Sequence, residues 1–351
     1  MRKLEDFVGD MFFPIREVLI NAYGYKLSRS RFNGEYYDYI KVLLSNLEKT
    51  SDEIKVEQFE MMRDNLINAY ENIPYFTSLF NYIDFSPYKM SEISEIEKIP
   101  FLDKDKVRQN YDLLINNKVS KRNSVVRYTS GTTGDKLRFV LPFSLAYPKN
   151  AAMIYRFYSM AGVRLGDKRV TIGGRRFTNK KPYWSYNLFE NQLLMSAHHL
   201  NEKTADEYLD KINKFNPVFI QGHPNSILFL ALVILRKGGR IFDSLRAIFT
   251  TGETLLEENR EYIKNAFNVK VLQQYGSGEN CFSAQETGDC CGYMLNYEHG
   301  YVEMIGDGEY KEVVATSFQN DIMPFVRYNI GDYVKPITGE CSKKRYDYPY
   351  L

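Results

Sequence analysis

Features that would set this chain apart from ordinary globular proteins are scarce. Only 4 cysteines and 4 histidines occur in 351 residues, so a dense disulfide framework is excluded and reduced thiols are expected. Neither sign of charge dominates, because 46 basic and 44 acidic residues leave a formal net charge of +2. No global field therefore recruits nucleic acid or an anionic membrane, and any bound anion must be held locally.

Long hydrophobic runs are missing as well. The longest, residues 227–235, has about half the length needed to cross a bilayer. The N-terminus carries acidic residues and lacks the apolar stretch and cleavage site of a signal peptide. We therefore predict a cytoplasmic protein with no membrane span and no nucleic-acid partner.

The periodicity of the chain predicts an α/β fold. Helical spacing extends from about residue 36 to the Ile73-Pro74 pair, and beyond residue 125 short strands alternate with longer helices. After Tyr293 the helical pattern ends, and antiparallel strands are predicted. We predict a helical lead-in over 1–124, an α/β nucleotide-binding core over 125–292 and a small β subdomain over 293–351.

Within the core and the subdomain the pattern also places individual elements. Strands are predicted at 169–172, 218–221, 247–250, 270–274, 301–305, 312–318 and 326–334. Helices are predicted at 147–161, 204–214, 225–237 and 257–267. Alternation of this kind favours a sheet with crossover helices.

The most informative segment is a loop rich in glycine and hydroxyl side chains. It runs Tyr128-Thr129-Ser130-Gly131-Thr132-Thr133-Gly134-Asp135-Lys136. Glycines let the backbone approach an anion, hydroxyls and N–H groups donate to phosphate oxygens, and Lys136 supplies a cation. The P-loop pattern of NTPases is absent. A flexible turn is the alternative interpretation, and the charge of Asp135 would weaken phosphate binding if its side chain pointed inwards.

This loop resembles the phosphate-binding signature of the adenylate-forming superfamily. Three later segments resemble its other motifs in the same order. Residues 250–255 are similar to the adenine-contacting turn, residues 274–279 to the Tyr-Gly-x-x-Glu motif, and residues 325–332 to the Arg-Tyr-x-x-Gly-Asp motif. The resemblance implies the large N-terminal domain of such an enzyme, with mixed sheets, crossover helices and a small β subdomain.

Within the superfamily, the chain most resembles phenylacetate-CoA ligases and related capsular polysaccharide biosynthesis proteins. That likeness rests on residues 221–226, on residues 323–328 and on the helical lead-in that ends at residues 72–76. It implies an AMP-forming ligase that uses ATP and Mg²⁺ on a small-molecule carboxylic acid. The products would be an acyl-adenylate and pyrophosphate, with CoA or an amine or hydroxyl of a polysaccharide precursor as the final acceptor.

The resemblance also implies roles for individual residues. The nucleotide would be held by Ser130, Gly131, Thr132, Thr133, Gly134, Lys136, Thr251, Gly252, Glu253, Gln274, Tyr275, Gly276, Glu279 and Asp332. Among these, Lys136, Thr132 and Glu279 are predicted to be catalytic, with Glu279 as the Mg²⁺ ligand. Tyr275 would cover the adenine and Asp332 would bind the ribose. No general base is needed, because the substrate carboxylate is already ionised at neutral pH.

For the acyl pocket the sequence offers fewer signals. Resemblance places Trp184, His223 and Pro224 there, but Trp184 and His223 are the kind of side chain that more often serves packing. A structural zinc site remains an alternative, with Cys290, Cys291, His299 and Cys341 as its ligands. Their spacing does not match the relatives' pattern, so ordinary thiols are the default.

The resembled enzymes continue into a C-terminal lid domain that carries a catalytic lysine. This chain stops at Leu351, about where the hinge should begin, so we expect the lid to be absent or supplied by a partner. Assembly as a homodimer is a further alternative. Without a lid we expect slow adenylate formation and little thioester. Two alternatives are a nucleotide-binding scaffold without chemistry and an acyl-protein synthetase that uses Cys341.

Overall fold

The computed structural model describes residues 12–116, 118–129, 136–174, 180–239, 242–288, 292–337 and 345–351. The chain divides into two compact units, each drawn from two stretches of sequence. Unit 1 contains the described residues of 1–34 and 154–274, and unit 2 those of 35–153 and 275–351. The three segments expected along the sequence remain a prediction.

The α-helices and β-strands follow one another in the order expected of an α/β protein. The helices are α1 Phe13–Arg31, α2 Gly34–Ser45, α3 Ser51–Asn72, α4 Pro74–Tyr82, α5 Lys104–Gln109, α6 Asn150–Ser159, α7 Ala205–Phe215, α8 Pro224–Arg236 and α9 Glu257–Phe267. The strands are β1 Ser124–Tyr128, β2 Arg138–Pro142, β3 Arg169–Gly173, β4 Trp184–Asn187, β5 Gln192–Ser196, β6 Phe219–Gly222, β7 Ala247–Thr250, β8 Lys270–Gly276, β9 Ser283–Glu286, β10 Tyr293–Leu295, β11 Gly300–Ile305, β12 Lys311–Ser317 and β13 Tyr328–Val334.

Unit 1 is built around a largely parallel sheet. Its strand order is β8-β7-β6-β3-β5-β4, in which β4 alone pairs antiparallel with its neighbour. Helices α7, α8 and α9 bury apolar side chains in the same core cluster as the strands, among them Tyr208, Ile227 and Ile263. The predicted α/β fold, and the strands and helices predicted between 169 and 274, are confirmed.

The longest apolar run of the sequence lies in α8. Its buried side chains, Leu230 and Ile234 among them, pack in the core of unit 1. Among the described helices, none is apolar over enough of its length to span a membrane.

Helix α1 lies within the predicted helical lead-in, but the sequence pattern did not place it individually, because its polar side chains face the sheet. Arg16 donates to the carbonyl oxygens of Pro182 and Trp184 at 3.0 and 3.2 Å, and Asn21 donates to the carbonyl oxygen of Tyr186 at 2.9 Å. An edge strand must have its free backbone groups covered. On β4 the side chains of a helix do this, so α1 carries no apolar stripe that periodicity could detect.

Unit 2 opens with packed helices, and one boundary differs from the prediction. Thr50 and Glu53 form a capping box at the start of α3, and the helix ends at Asn72 as expected. Pro74 does not end the helical region, however, because it occupies the first position of α4, where its missing N–H costs nothing. Val56, an apolar residue of α3, is exposed.

The β-structure of unit 2 consists of antiparallel pairings. Strands β1 and β2 form one pair, β9 and β10 another, and β11, β12 and β13 a small sheet. The three strands predicted after residue 300 are therefore confirmed as antiparallel. The last begins at Tyr328 instead of residue 326, because Arg327 has a left-handed backbone with φ of 46°, which breaks an extended strand.

Candidate functional site

In unit 1, residues of the predicted nucleotide and acyl sites follow the ends of adjacent parallel strands. Strand β6 ends at Gly222, directly before His223 and Pro224, and β7 ends at Thr250, directly before residues 251–253. Parallel sheets bind ligands at the carboxyl ends of their strands. The fold thus places the predicted adenine turn beside the predicted acyl-pocket segment.

His223 and Gly252 are brought together at this edge. Gly252 has a φ of +83°, and a Cβ built on it would lie 3.1 Å from both Nδ1 and Cε1 of His223. The N–H of Thr251 donates to the carbonyl oxygen of Gly222 at 3.3 Å. Nδ1 of His223 is buried and has no hydrogen-bond partner within the described residues. The position therefore favours glycine on two grounds, its backbone conformation and the close approach of His223.

A buried side chain that the sequence did not single out fixes the same turn. Gln273, on β8, donates through Nε2 to the carbonyl oxygen of Glu253 and accepts at Oε1 from the N–H of Leu255. The predicted residue, Gln274, is its half-buried neighbour. The sequence signal that could have identified Gln273 is its position as a polar residue within the apolar stretch of a buried strand.

The remaining acyl-pocket candidates have structural partners. Trp184 meets the ring of Tyr208 edge-on at 5.9 Å, and Lys211 lies 5.9 Å from the indole centroid. Strands β3 and β5 lie between its strand, β4, and β6. Pro224 is buried and begins α8. The structure thus packs Trp184 on Tyr208, two strands away from His223, and its acyl-pocket role stays a prediction.

In unit 2, residues of two predicted motifs are joined by a hydrogen bond. The hydroxyl of Tyr275 donates to Oδ2 of Asp332 at 3.1 Å, and the Tyr275 ring contacts Phe282 and Tyr293. Burial, and then the charge of Asp332, raises the pKa of Tyr275, so the phenol remains a donor. Asp332 itself is exposed. The residues predicted for adenine and ribose therefore meet in one place.

Glu279 is a buried carboxylate, 5% exposed, with no basic partner among the described residues. Its Oε1 accepts a hydrogen bond from the hydroxyl of Tyr328 at 2.7 Å, and no ion pair of the described residues includes Glu279. Buried charges are normally paired with a counter-charge or bind a metal. A hard carboxylate oxygen is the ligand type that Mg²⁺ prefers. Glu279 therefore fits the predicted metal role.

Arg327 forms a structural clamp in the same unit. Its Nε and Nη2 donate to the carboxylate of Glu303 at 3.1 and 2.7 Å. Its Nη1 donates to the carbonyl oxygens of Glu97 and Ile99 at 2.8 and 2.7 Å. These bonds occupy each guanidinium nitrogen, so Arg327 holds the chain together at the start of β13 and is not poised for phosphate.

The predicted phosphate loop joins the antiparallel strands β1 and β2. At its base the N–H of Thr129 donates to the carbonyl oxygen of Leu137, and the N–H of Leu137 donates to Oγ1 of Thr129, both at 3.0 Å. Lys136 is exposed beside this pair. The other loop residues lie outside the described part of the chain, and their roles stay predictions: Ser130, Gly131, Thr132, Thr133, Gly134 and Asp135.

The zinc alternative is tested only at His299. Its Nδ1 contacts Oγ of Ser283 at 2.9 Å and its Nε2 contacts the carbonyl oxygen of Asn280 at 3.0 Å, so both ring nitrogens have protein partners. Across the described ranges no group of three His, Cys, Asp or Glu is arranged to hold a metal ion. The cysteines of that alternative lie outside those ranges: Cys290, Cys291 and Cys341.

Comparison with known proteins relates this chain to a group of ligases, although no family model matches it. The chain is 29% identical over 332 residues to the protein CapK of Staphylococcus aureus, covering 91% of this chain and 70% of CapK. It is 28% identical over 335 residues to the phenylacetate-coenzyme A ligase of Pseudomonas putida, covering 88% and 73%.

The fold has a solved counterpart. The structure of 2-hydroxyisobutyryl-CoA ligase in an open conformation, in complex with 2-HIB-AMP and CoA, matches with a TM-score of 0.66 at 16% identity. The match covers 86% of this chain and 74% of that one. By these relatives and this fold, the chain is similar to AMP-forming ligases of the adenylate-forming superfamily, the phenylacetate-CoA ligases among them.

Proposed function

We propose that the chain activates a carboxylic acid with ATP, forming an acyl-adenylate and releasing pyrophosphate. The observation that carries the proposal is the pair of hydrogen bonds in unit 2, from Tyr275 to Asp332 and from Tyr328 to Glu279. They bring residues of two separate motifs into contact. The relationship to the phenylacetate-coenzyme A ligases supports the same reaction class.

In the proposed reaction an oxygen of the substrate carboxylate attacks the α-phosphorus, and the bond between that phosphorus and the bridging oxygen of pyrophosphate breaks. Both reactants are anions, so catalysis consists mainly of positioning and charge neutralisation. Asp332 would accept hydrogen bonds from the ribose hydroxyls while Tyr275 holds its other oxygen. Lys136 would place its ammonium group against the departing phosphates. Glu279 would hold Mg²⁺, which supplies positive charge for the phosphate oxygens when it is bound.

For the second half-reaction we propose that the acceptor attacks the acyl carbonyl carbon and that AMP leaves. The acceptor would be the thiol of CoA, or an amine or hydroxyl of a polysaccharide precursor. The name of one relative, a phenylacetate-coenzyme A ligase, supports CoA, whereas the amine or hydroxyl acceptor rests on the sequence resemblance alone. Product analysis by mass spectrometry, with CoA and with candidate amines, separates these acceptors.

The first half-reaction is tested by ATP–pyrophosphate exchange with a panel of aryl, fatty and amino acids. We expect exchange with at least one acid and none without Mg²⁺. Measurable ATP binding with no exchange across the panel would instead support the scaffold alternative. Acyl transfer to the protein, seen as a mass increase after incubation with ATP and acid, would indicate an acyl-protein synthetase.

A further inference from the structure

The carboxylate of Glu279 accepts a hydrogen bond at one oxygen, and the donor is a neutral group. Tyr328 donates to Oε1, while Oε2 has no hydrogen-bond partner among the described residues. An arginine or lysine in this position would neutralise the carboxylate and compete with a cation. A hydroxyl orients the carboxylate and leaves its full charge. The arrangement is therefore suited to a carboxylate that must bind a metal through its second oxygen.

Tyr328 is itself held rigidly. Its side chain is fully buried and packs on Phe325 with a centroid separation of 4.8 Å. Leu102 brackets its backbone, donating its N–H to the carbonyl oxygen of Arg327 at 3.0 Å and accepting from the N–H of Asn329 at 2.8 Å. A donor fixed in this way restricts the carboxylate that it binds.

The restraint on Tyr328 continues into the Arg327 clamp. Arg327 has a backbone φ of 46°, an unfavourable value for a residue with a side chain. The carboxylate of Glu303 and the carbonyl oxygens of Glu97 and Ile99 hold its guanidinium. Surrounding contacts must maintain such a conformation, and here they fix the point at which β13 begins and Tyr328 turns towards Glu279.

We propose that Tyr328 is a positioning residue that orients Glu279 for a divalent cation, with Arg327 maintaining the position of Tyr328. The proposal rests on the proposed function, because it assumes that Glu279 receives the cation that accompanies ATP. Partners that orient a metal ligand without touching the metal typically contribute 10–100-fold to metal affinity. Loss of the Tyr328 hydroxyl should therefore weaken cation binding without abolishing it.

The experiment measures Mn²⁺ binding by electron paramagnetic resonance, with ATP present and no acid, so that chemistry does not contribute. We expect Tyr328→Phe to raise the dissociation constant of Mn²⁺ about tenfold and Glu279→Gln to raise it further. Tyr333→Phe is the matched control, because Tyr333 lies on the same strand and donates to Oε1 of Glu312, also at 2.7 Å, but is exposed. It should leave Mn²⁺ affinity unchanged.

Suppose that a folded Tyr328→Phe protein binds Mn²⁺ as tightly as the wild type, while Glu279→Gln binds it more weakly. That result would overturn the positioning role and leave the proposed function standing. Wild-type affinity in Glu279→Gln would overturn the metal assignment and the positioning role together. Absence of ATP-dependent Mn²⁺ binding in the wild type would contradict the proposed function itself. If Tyr328→Phe does not fold, Arg327→Lys provides the test, since lysine cannot reproduce the forked contacts and should also weaken Mn²⁺ binding.

Discussion

The hydroxyl of Tyr328 lies 2.7 Å from Oε1 of Glu279, and both side chains are buried. This contact joins the Tyr-Gly-x-x-Glu segment at the end of β8 to the Arg-Tyr-x-x-Gly-Asp segment at the start of β13. The hydrogen bond between Tyr275 and Asp332 joins the same two segments a second time. Two motifs that are far apart in the sequence thus form one constellation in unit 2.

Asp332→Asn should weaken ATP binding about tenfold, because a charged acceptor of the ribose hydroxyls becomes neutral and loses roughly 1–2 kcal/mol. Isothermal titration calorimetry measures the ATP dissociation constant. The matched control is Asp307→Asn, an exposed aspartate in the turn between β11 and β12. Equal ATP affinities in the two variants would remove Asp332 from the proposed nucleotide site.

Gly252→Ala should destabilise unit 1 by more than backbone strain alone. Gly238 supplies the comparison, because it has nearly the same φ, +84° against +83°, but no heavy atom within 4 Å of a built Cβ. Both substitutions carry the cost of a positive φ, roughly 1 kcal/mol, and only Gly252→Ala adds a clash with His223. Urea denaturation measures the difference, which adding His223→Ala should reduce. Equal destabilisation by the two glycine substitutions would show that the His223 side chain moves away from the new Cβ without a cost in stability.

Gln273→Leu should loosen the turn at Glu253 and Leu255. It removes one donor and one acceptor that bind buried or half-buried backbone groups, at a cost of roughly 1–3 kcal/mol in unfolding free energy. If this turn contacts adenine, the KM for ATP should rise while kcat changes little. Gln274→Leu, at the half-buried neighbour, is the control for stability. Wild-type stability and KM in Gln273→Leu would show that the turn is held by other contacts.

Cys281 should be unreactive in the folded protein. Its thiol is fully buried, and burial, followed by the charge of Glu279, raises its pKa well above the ordinary value. Iodoacetamide at pH 8 should leave the Cys281 peptide unmodified until the chain is unfolded, as peptide mass spectrometry can show. Rapid labelling under native conditions would contradict the burial of this residue.

The same pKa shift predicts a loss of stability in alkali. In the unfolded chain the Cys281 thiol ionises near its ordinary pKa of 9.0, whereas the folded protein keeps its proton to higher pH. The stabilisation is therefore complete below that pH and decreases as pH rises through the folded-state pKa. Urea denaturation between pH 8 and 10 should show a smaller alkaline loss in Cys281→Ala than in the wild type.

Much of the secondary structure could be predicted from the sequence because it has a local cause. The run over 257–267 has helical spacing and became α9, and the apolar run 247–250 became β7. The bounds of helix α1, inside the predicted helical lead-in, could not be placed because Arg16 and Asn21 make its contact with β4 and no apolar period marks it. The start of β13 was misplaced because the left-handed turn at Arg327 is maintained by residues distant in sequence.

The sequence by itself determined the order of the motifs, the chemistry of their side chains and the α/β alternation, since each depends on residue type and local spacing. Only the tertiary structure decided which side chains meet. The hydroxyl of Tyr328 donates to Glu279, and Gln273 fixes the turn after β7. The guanidinium of Arg327 donates to Glu303 and to backbone carbonyl oxygens. The physical reason is that these contacts join residues that only the packing of strands and helices brings within hydrogen-bond distance.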